Sequence, residues 1–123
     1  MRGAVLTLVV ALLSTASIGA DTYPRQSGID AQHYVFRLTL LTNDSNEIQG
    51  DATVTLRLVR DDVREAWLDF TRAAAGKGMN VASVTSSGQP VAFTHTNNRL
   101  QLPVPADAKA GQDVTYSISY KGV

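Results

Sequence analysis

His33 and His95 are the two histidines of this chain, and it has no cysteine. Those are the residue types a metal or nucleophile site draws on first. Zinc-assisted hydrolysis needs three protein ligands, an open coordination position and a general base. The two histidines are too far apart for a sequence-local ligand pattern, and neither H-E-x-x-H nor H-x-H occurs. Both are expected at strand ends. Asp61, Asp62 and Glu65 match no calcium-loop spacing and read as polar turn residues. An EF-hand count from Asp44 fails because glycine falls at the seventh position, Gly50, instead of the sixth. Gly76-Lys77 lacks the leading glycine and the following Ser or Thr of a phosphate loop. No serine sits in G-x-S-x-G, so a nucleophile elbow is missing. No catalytic, cofactor-binding or metal residue is therefore assigned. Trp67, Tyr34, Tyr116 and Tyr120 could form an aromatic binding stripe. The three tyrosines lie on the apolar phase of their segments, which predicts core packing. Trp67 is out of phase with Leu68 and Phe70, so it packs on a second face or stands exposed as a docking contact.

The segments that would position these residues are strands. Residues 33–59 read as a long antiparallel hairpin turning at the NDSN cluster. Tyr34, Phe36, Leu38 and Leu40 share one face of its first arm. Ile48, Gly50, Ala52, Val54, Leu56 and Leu58 share one face of its second, with Gln49, Asp51, Thr53, Thr55 and Arg57 opposite. Shorter alternating runs follow at 65–71, 89–95, 99–102 and 113–121, with a weakly patterned short strand at 79–85 and turn signals such as Ser87-Gly88 and Asn97-Asn98 between them. Residues 72–78, with Gly76 and Gly78 close together, read as a loop and not a helical turn. The pattern predicts an all-β fold, an antiparallel sandwich or curved saddle-like sheet of about seven strands.

The chain has 123 residues, room for one domain. Arg2 and the apolar run 4–13, followed by small residues up to Ala20, read as a signal peptide over residues 1–20. The run is too short for a membrane span. Residues 21–31 read as an irregular lead-in and 32–123 as a single β domain. Its last strand halts almost at the chain's end, which reads as a domain truncated at its C-terminal side. Acidic and basic residues balance at 11 each, which gives no footprint for nucleic acid or an anionic membrane. A leader places the domain outside the cytoplasm, in a periplasm or the extracellular space. There, lacking disulfides, it must hold together by its core. Asn43-Asp44-Ser45 fits the N-glycosylation pattern at an exposed turn.

The order of these pieces carries a resemblance. Ile29-Asp30-Ala31-Gln32-His33-Tyr34 leads into the first strand, and Ile48-Gln49-Gly50 opens the second. Ala66-Trp67-Leu68-Asp69-Phe70 and the run VASVTSSG at 81–88 follow. Leu100-Gln101-Leu102-Pro103 and Ile118-Ser119-Tyr120-Lys121-Gly122 close the block. Together, over 29–122, they resemble the start of aminopeptidase N-like zinc metallopeptidases. The resemblance implies an N-terminal, saddle-like β domain without chemistry of its own. Such a domain scaffolds the catalytic domain of the same parent protein and walls the cleft that takes the peptide substrate. Zinc and its ligands are implied further along the parent, in H-E-x-x-H and a distant glutamate, together with the G-x-M-E-N motif that grips the peptide's amino end. None of these motifs is in this chain. The alternative is a free-standing secreted β-sandwich that binds a protein or glycan partner.

Overall fold

The computed structural model describes residues 24–42 and 45–123, and the expected leader and Asn43 lie outside them. Eight strands follow in order: β1 Ile29–Leu40, β2 Ile48–Leu58, β3 Glu65–Asp69, β4 Met79–Ser86, β5 Gln89–Pro90, β6 Thr94–Thr96, β7 Arg99–Pro103 and β8 Asp113–Gly122. They form two antiparallel sheets, one of five strands in the order β1-β2-β8-β4-β5 and one of three in the order β3-β7-β6. The all-β sandwich expected from the alternation is what the chain adopts, and no described residue is helical.

The period-two runs explain the core. On β2 the buried positions are Gly50, Ala52, Val54, Leu56 and Leu58, and on β8 they are Val114, Tyr116, Ile118, Tyr120 and Gly122. Register pairs them across the sheet, Val54 with Tyr116 and Ala52 with Ile118. Ala66, Leu100 and Leu102 of the smaller sheet complete the same cluster. Tyr116 is 1% exposed, and its hydroxyl donates to the Pro103 carbonyl oxygen at 2.8 Å, tying β8 to the end of β7. Gly50 is required by close approach. The Tyr120 ring lies where a Cβ at Gly50 would stand, and it meets Phe70 edge-on at 5.0 Å between centroids.

Four details depart from the sequence reading. The lead-in ends at Gly28 instead of residue 31, because β1 begins at Ile29. A register shift between Ala31 and His33 inserts one residue, so Ile29 and Ala31 share a face with Tyr34 and Phe36 although they are out of phase in sequence. A second shift between Val81 and Ser83 weakens the alternation of β4 in the same way. The run 89–95 is not one strand but two. β5 stays beside β4, while β6 crosses to the smaller sheet and pairs with β7. Both two-residue connections carry left-handed central residues, Ser87-Gly88 and Asn97-Asn98, the conformation tight hairpins need.

Candidate functional site

The residues that could do chemistry are dispersed. His33 lies inside β1, exposed and beside the register shift, and not at a strand end. His95 is the middle residue of β6. Its Nε2 sits 2.7 Å from the Phe70 carbonyl oxygen, which can only accept, so this nitrogen carries the proton. The His95 and Phe70 rings lie 5.4 Å apart. Asp61 accepts from the Ala110 backbone N–H at 2.8 Å, Asp62 pairs with Arg60 at 2.9 Å, and Glu65 accepts from the Gln101 side-chain amide at 3.3 Å. The three carboxylates take separate partners, Asp62 within its own turn, Asp61 in the loop before β8 and Glu65 on β7. Among the described residues no group of three His, Asp or Glu side chains could hold a metal ion. Among the described residues the side chains do not fit a zinc ion.

Electrostatics follow the same structural pattern. Arg57 on β2 and Asp113 on β8 face each other across the sheet through two hydrogen bonds, 2.8 and 3.2 Å long. The hydrogen bond from Arg57 pulls the Asp113 carboxyl below the usual range, and the same bond raises the guanidinium. Burial pushes the Tyr116 phenol up to about 12. Tyr120 is raised by burial first and by the nearby Asp51 carboxylate second. Both phenols belong to the core.

The aromatic expectation is partly corrected. Tyr116 and Tyr120 are core residues, whereas Tyr34 is 44% exposed. It does not stand alone. Phe36, Leu38 and Leu40 continue its row at 60, 58 and 72% exposed. The row is on the inner face, opposite Val54, Ala52, Gly50 and Ile48 of β2. The buried core under the smaller sheet draws on β2, β8 and β4, with Ile29 of β1 packed against it, while the row from Tyr34 to Leu40 stays exposed. An apolar groove of about 300 Å³ runs along this row, walled by Tyr34 and Phe36 on one side and by Leu68 and Phe70 on the other. A larger cleft of about 450 Å³ lies at its upper end, between Ile29, Tyr34, Trp67 and Asp69.

Trp67 stands on the outer face of the smaller sheet, half-buried, with the Arg99 guanidinium 3.8 Å from its ring centroid. Arg99 also reaches Asp69 at 3.7 Å. This is the second-face packing that its phase allowed. Two residues here escaped the sequence reading. Arg99 reaches Trp67 on the diagonal, since the register opposes it to Asp69. Gln26 lies in the segment without periodicity. Its side-chain oxygen accepts from the Trp67 backbone N–H at 2.9 Å, and its side-chain nitrogen donates to the Glu65 carbonyl at 2.7 Å. It thus takes the place of a neighbouring strand on the free edge of β3. No local pattern announces such a contact, which spans about forty residues of sequence.

The fold and this open face define an antiparallel β-sandwich with one sheet wider than the other. Solved structures share that architecture. A point mutant of an M1 zinc metallopeptidase from Deinococcus radiodurans superposes at a TM-score of 0.66, with 24% identity over 80% of this chain and 21% of that chain. The unsubstituted M1 zinc metallopeptidase from the same organism gives 0.65, with 24% identity over 78% and 20%. The mutant bound to a Tyr-Ser-Ala substrate also gives 0.65, over 78% and 21%. The likeness establishes the fold that the sequence resemblance implied. The chain spans about a fifth of the length of the solved structures it matches. No protein-family model and no curated protein matches the sequence.

Proposed function

We propose that this chain is the non-catalytic, N-terminal β domain of an exported zinc aminopeptidase. It scaffolds the catalytic domain of the same polypeptide and forms part of the wall of the peptide cleft. The observation that carries this reading is the fold match over four-fifths of this chain to about one-fifth of M1 zinc metallopeptidase chains. The ordered sequence segments from Ile29 to Gly122 support it independently of the superposition. In this reading zinc, its ligands and the peptide-gripping residues belong to polypeptide beyond this chain. The side chains here pack and position. The leader-like residues 1–20 support export to a periplasm or the extracellular space.

The test begins with the gene. Its reading frame past Val123 is expected to encode G-x-M-E-N and then H-E-x-x-H. The expressed parent is expected to bind one zinc ion and to release amino-terminal residues from short peptides. Unrelated downstream sequence, or a parent that binds no zinc, overturns the proposal and favours the free-standing secreted module.

A further inference from the structure

Residues 24–28 run between the wide sheet and the free edge of β3 and are fastened to both. We infer that they form a strap whose Gln26 side chain latches onto β3 and keeps another strand from pairing there. Latching and strand addition exclude each other, so a single side chain switches self-association through β3. The device lies wholly within the described residues and stands apart from the proposed parent.

The geometry of the latch is the first support. The Gln26 amide accepts from the Trp67 N–H at 2.9 Å and donates to the Glu65 carbonyl at 2.7 Å. Those two backbone groups flank Ala66, and they are the pair that one residue of a parallel neighbouring strand would bond. An antiparallel strand lying across from Trp67 needs the same N–H. Either arrival has to expel Gln26. On its other side β3 is already paired with β7, from Glu65 opposite Pro103 to Asp69 opposite Arg99. By the two-residue repeat, the Asp69 N–H faces the same open edge as the Trp67 N–H. Without Gln26 this edge is ready to pair, which is the hazard that edge strands carry.

The way the strap is held is the second support, since one end is fixed and the other is light. At the fixed end Gly28 has φ +86°, and its carbonyl accepts from the Val59 N–H at 2.9 Å. A Val63 methyl lies 2.7 Å from where a Cβ at Gly28 would stand, so this corner requires glycine. At the latched end Pro24, Arg25 and Ser27 are exposed, and only Gln26 is half-buried. Arg25, Gln26 and Trp67 border two separate hollows, one of about 450 Å³ and one of about 410 Å³. With so little packed against it, the latched end opens at lower cost than the core strands do. A latch of this kind is reversible.

Hydrogen exchange and sedimentation test the latch and the switch in the 123-residue chain. Gln26→Ala and Gln26→Met both remove the latch bonds, and the second keeps the side chain's length. In dilute solution the Trp67 amide is expected to exchange about tenfold faster in either variant, as a lost hydrogen bond implies. The Ala66 and Leu68 amides face β7 and should change less than about twofold. In analytical ultracentrifugation both variants are expected to associate at a roughly tenfold lower protein concentration than the wild-type chain, because no latch bonds have to break first. Asp69→Pro takes an N–H from the open edge and leaves the latch bonds in place. Added to Gln26→Met, it should abolish the extra association. Association through the exposed row from Tyr34 to Leu40 is common to all these proteins and cancels in the comparison. Unchanged Trp67 exchange refutes the latch. Equal association of variants and wild type refutes the switch, and so does extra association that survives Asp69→Pro. A Gln26→Met chain that fails to fold by circular dichroism also overturns the device, because Gln26 would then hold up the fold.

Discussion

Replacing Tyr116 with phenylalanine removes one hydrogen bond and one titration from the centre of the sandwich and leaves the packing in place. The ring is 1% exposed, and its hydroxyl bonds the Pro103 carbonyl at 2.8 Å. An intramolecular hydrogen bond of this kind contributes on the order of 1 kcal/mol net. At neutral pH, Tyr116→Phe is therefore expected to lower stability by about 1 kcal/mol, or roughly 5 °C in Tm for a domain of this size. Alkali reverses the order. The folded phenol titrates at about 12, while an unfolded tyrosine titrates near 10. The folded value is the higher, so stability carried by the neutral phenol is complete below about pH 10 and is lost as pH rises through about 12. At about 1.4 kcal/mol per pKa unit the full loss approaches 2–3 kcal/mol. Tyr116→Phe does not suffer it, so the two stability curves are expected to cross near pH 11. Urea unfolding followed by the fluorescence of Trp67, the single tryptophan, measures both proteins from pH 7 to 11.5. The other tyrosines are common to both and cancel in the difference. A constant gap across that range refutes the assignment of a buried, neutral, hydrogen-bonded phenol.

Four further outcomes follow from the structure. Gly50→Ala drives a Cβ into the Tyr120 ring and is expected to cost about 1–3 kcal/mol by overpacking. Combining it with Tyr120→Leu should recover part of that loss in urea titrations, and strict additivity of the two changes would refute the contact. Asp113→Asn removes a carboxyl held below its ordinary range by Arg57. The stability that this carboxylate contributes is present above its unfolded pKa and lost as pH falls through the lower folded value. Acid titrations by circular dichroism should therefore show a shallower decline for the variant below about pH 4. Leu102→Ala, at a fully buried site, is expected to cost about 2–5 kcal/mol. Phe36→Ser, in the exposed β1 row, should change the stability of the 123-residue chain by less than about 0.5 kcal/mol. It should also raise that chain's solubility limit, so a large loss of stability in Phe36→Ser would mean that the face is already covered.

Much of the fold was legible because a half-buried strand writes its orientation into every second residue. The alternation at 48–58 and 113–121 marked β2 and β8, and Ser87-Gly88 and Asn97-Asn98 marked the tight turns from β4 to β5 and from β6 to β7. Legibility failed where one residue was inserted. The shifts at Ala31/His33 and Val81/Ser83 flip the phase in sequence while leaving it intact in space. They hid the start of β1 and blurred β4. The division of 89–95 was equally invisible, since a change of partner sheet leaves no mark on the alternation. Gln26 was unreadable for another reason. A side-chain amide that stands in for a strand is an ordinary polar residue until the fold brings it to an edge.

The sequence by itself determined which residues would be apolar on which face of each strand, and through the order of its segments it pointed to the fold found in M1 zinc metallopeptidases. Tertiary structure alone decided which apolar faces are covered. Tyr34 and Tyr116 carry the same alternating signal, yet one is 44% exposed and the other 1%. The reason is that period two records only that a face is apolar. Burial depends on what lies above it, and a three-stranded sheet over a five-stranded one leaves the row from Tyr34 to Leu40 bare. The candidate site of this protein is that difference in width.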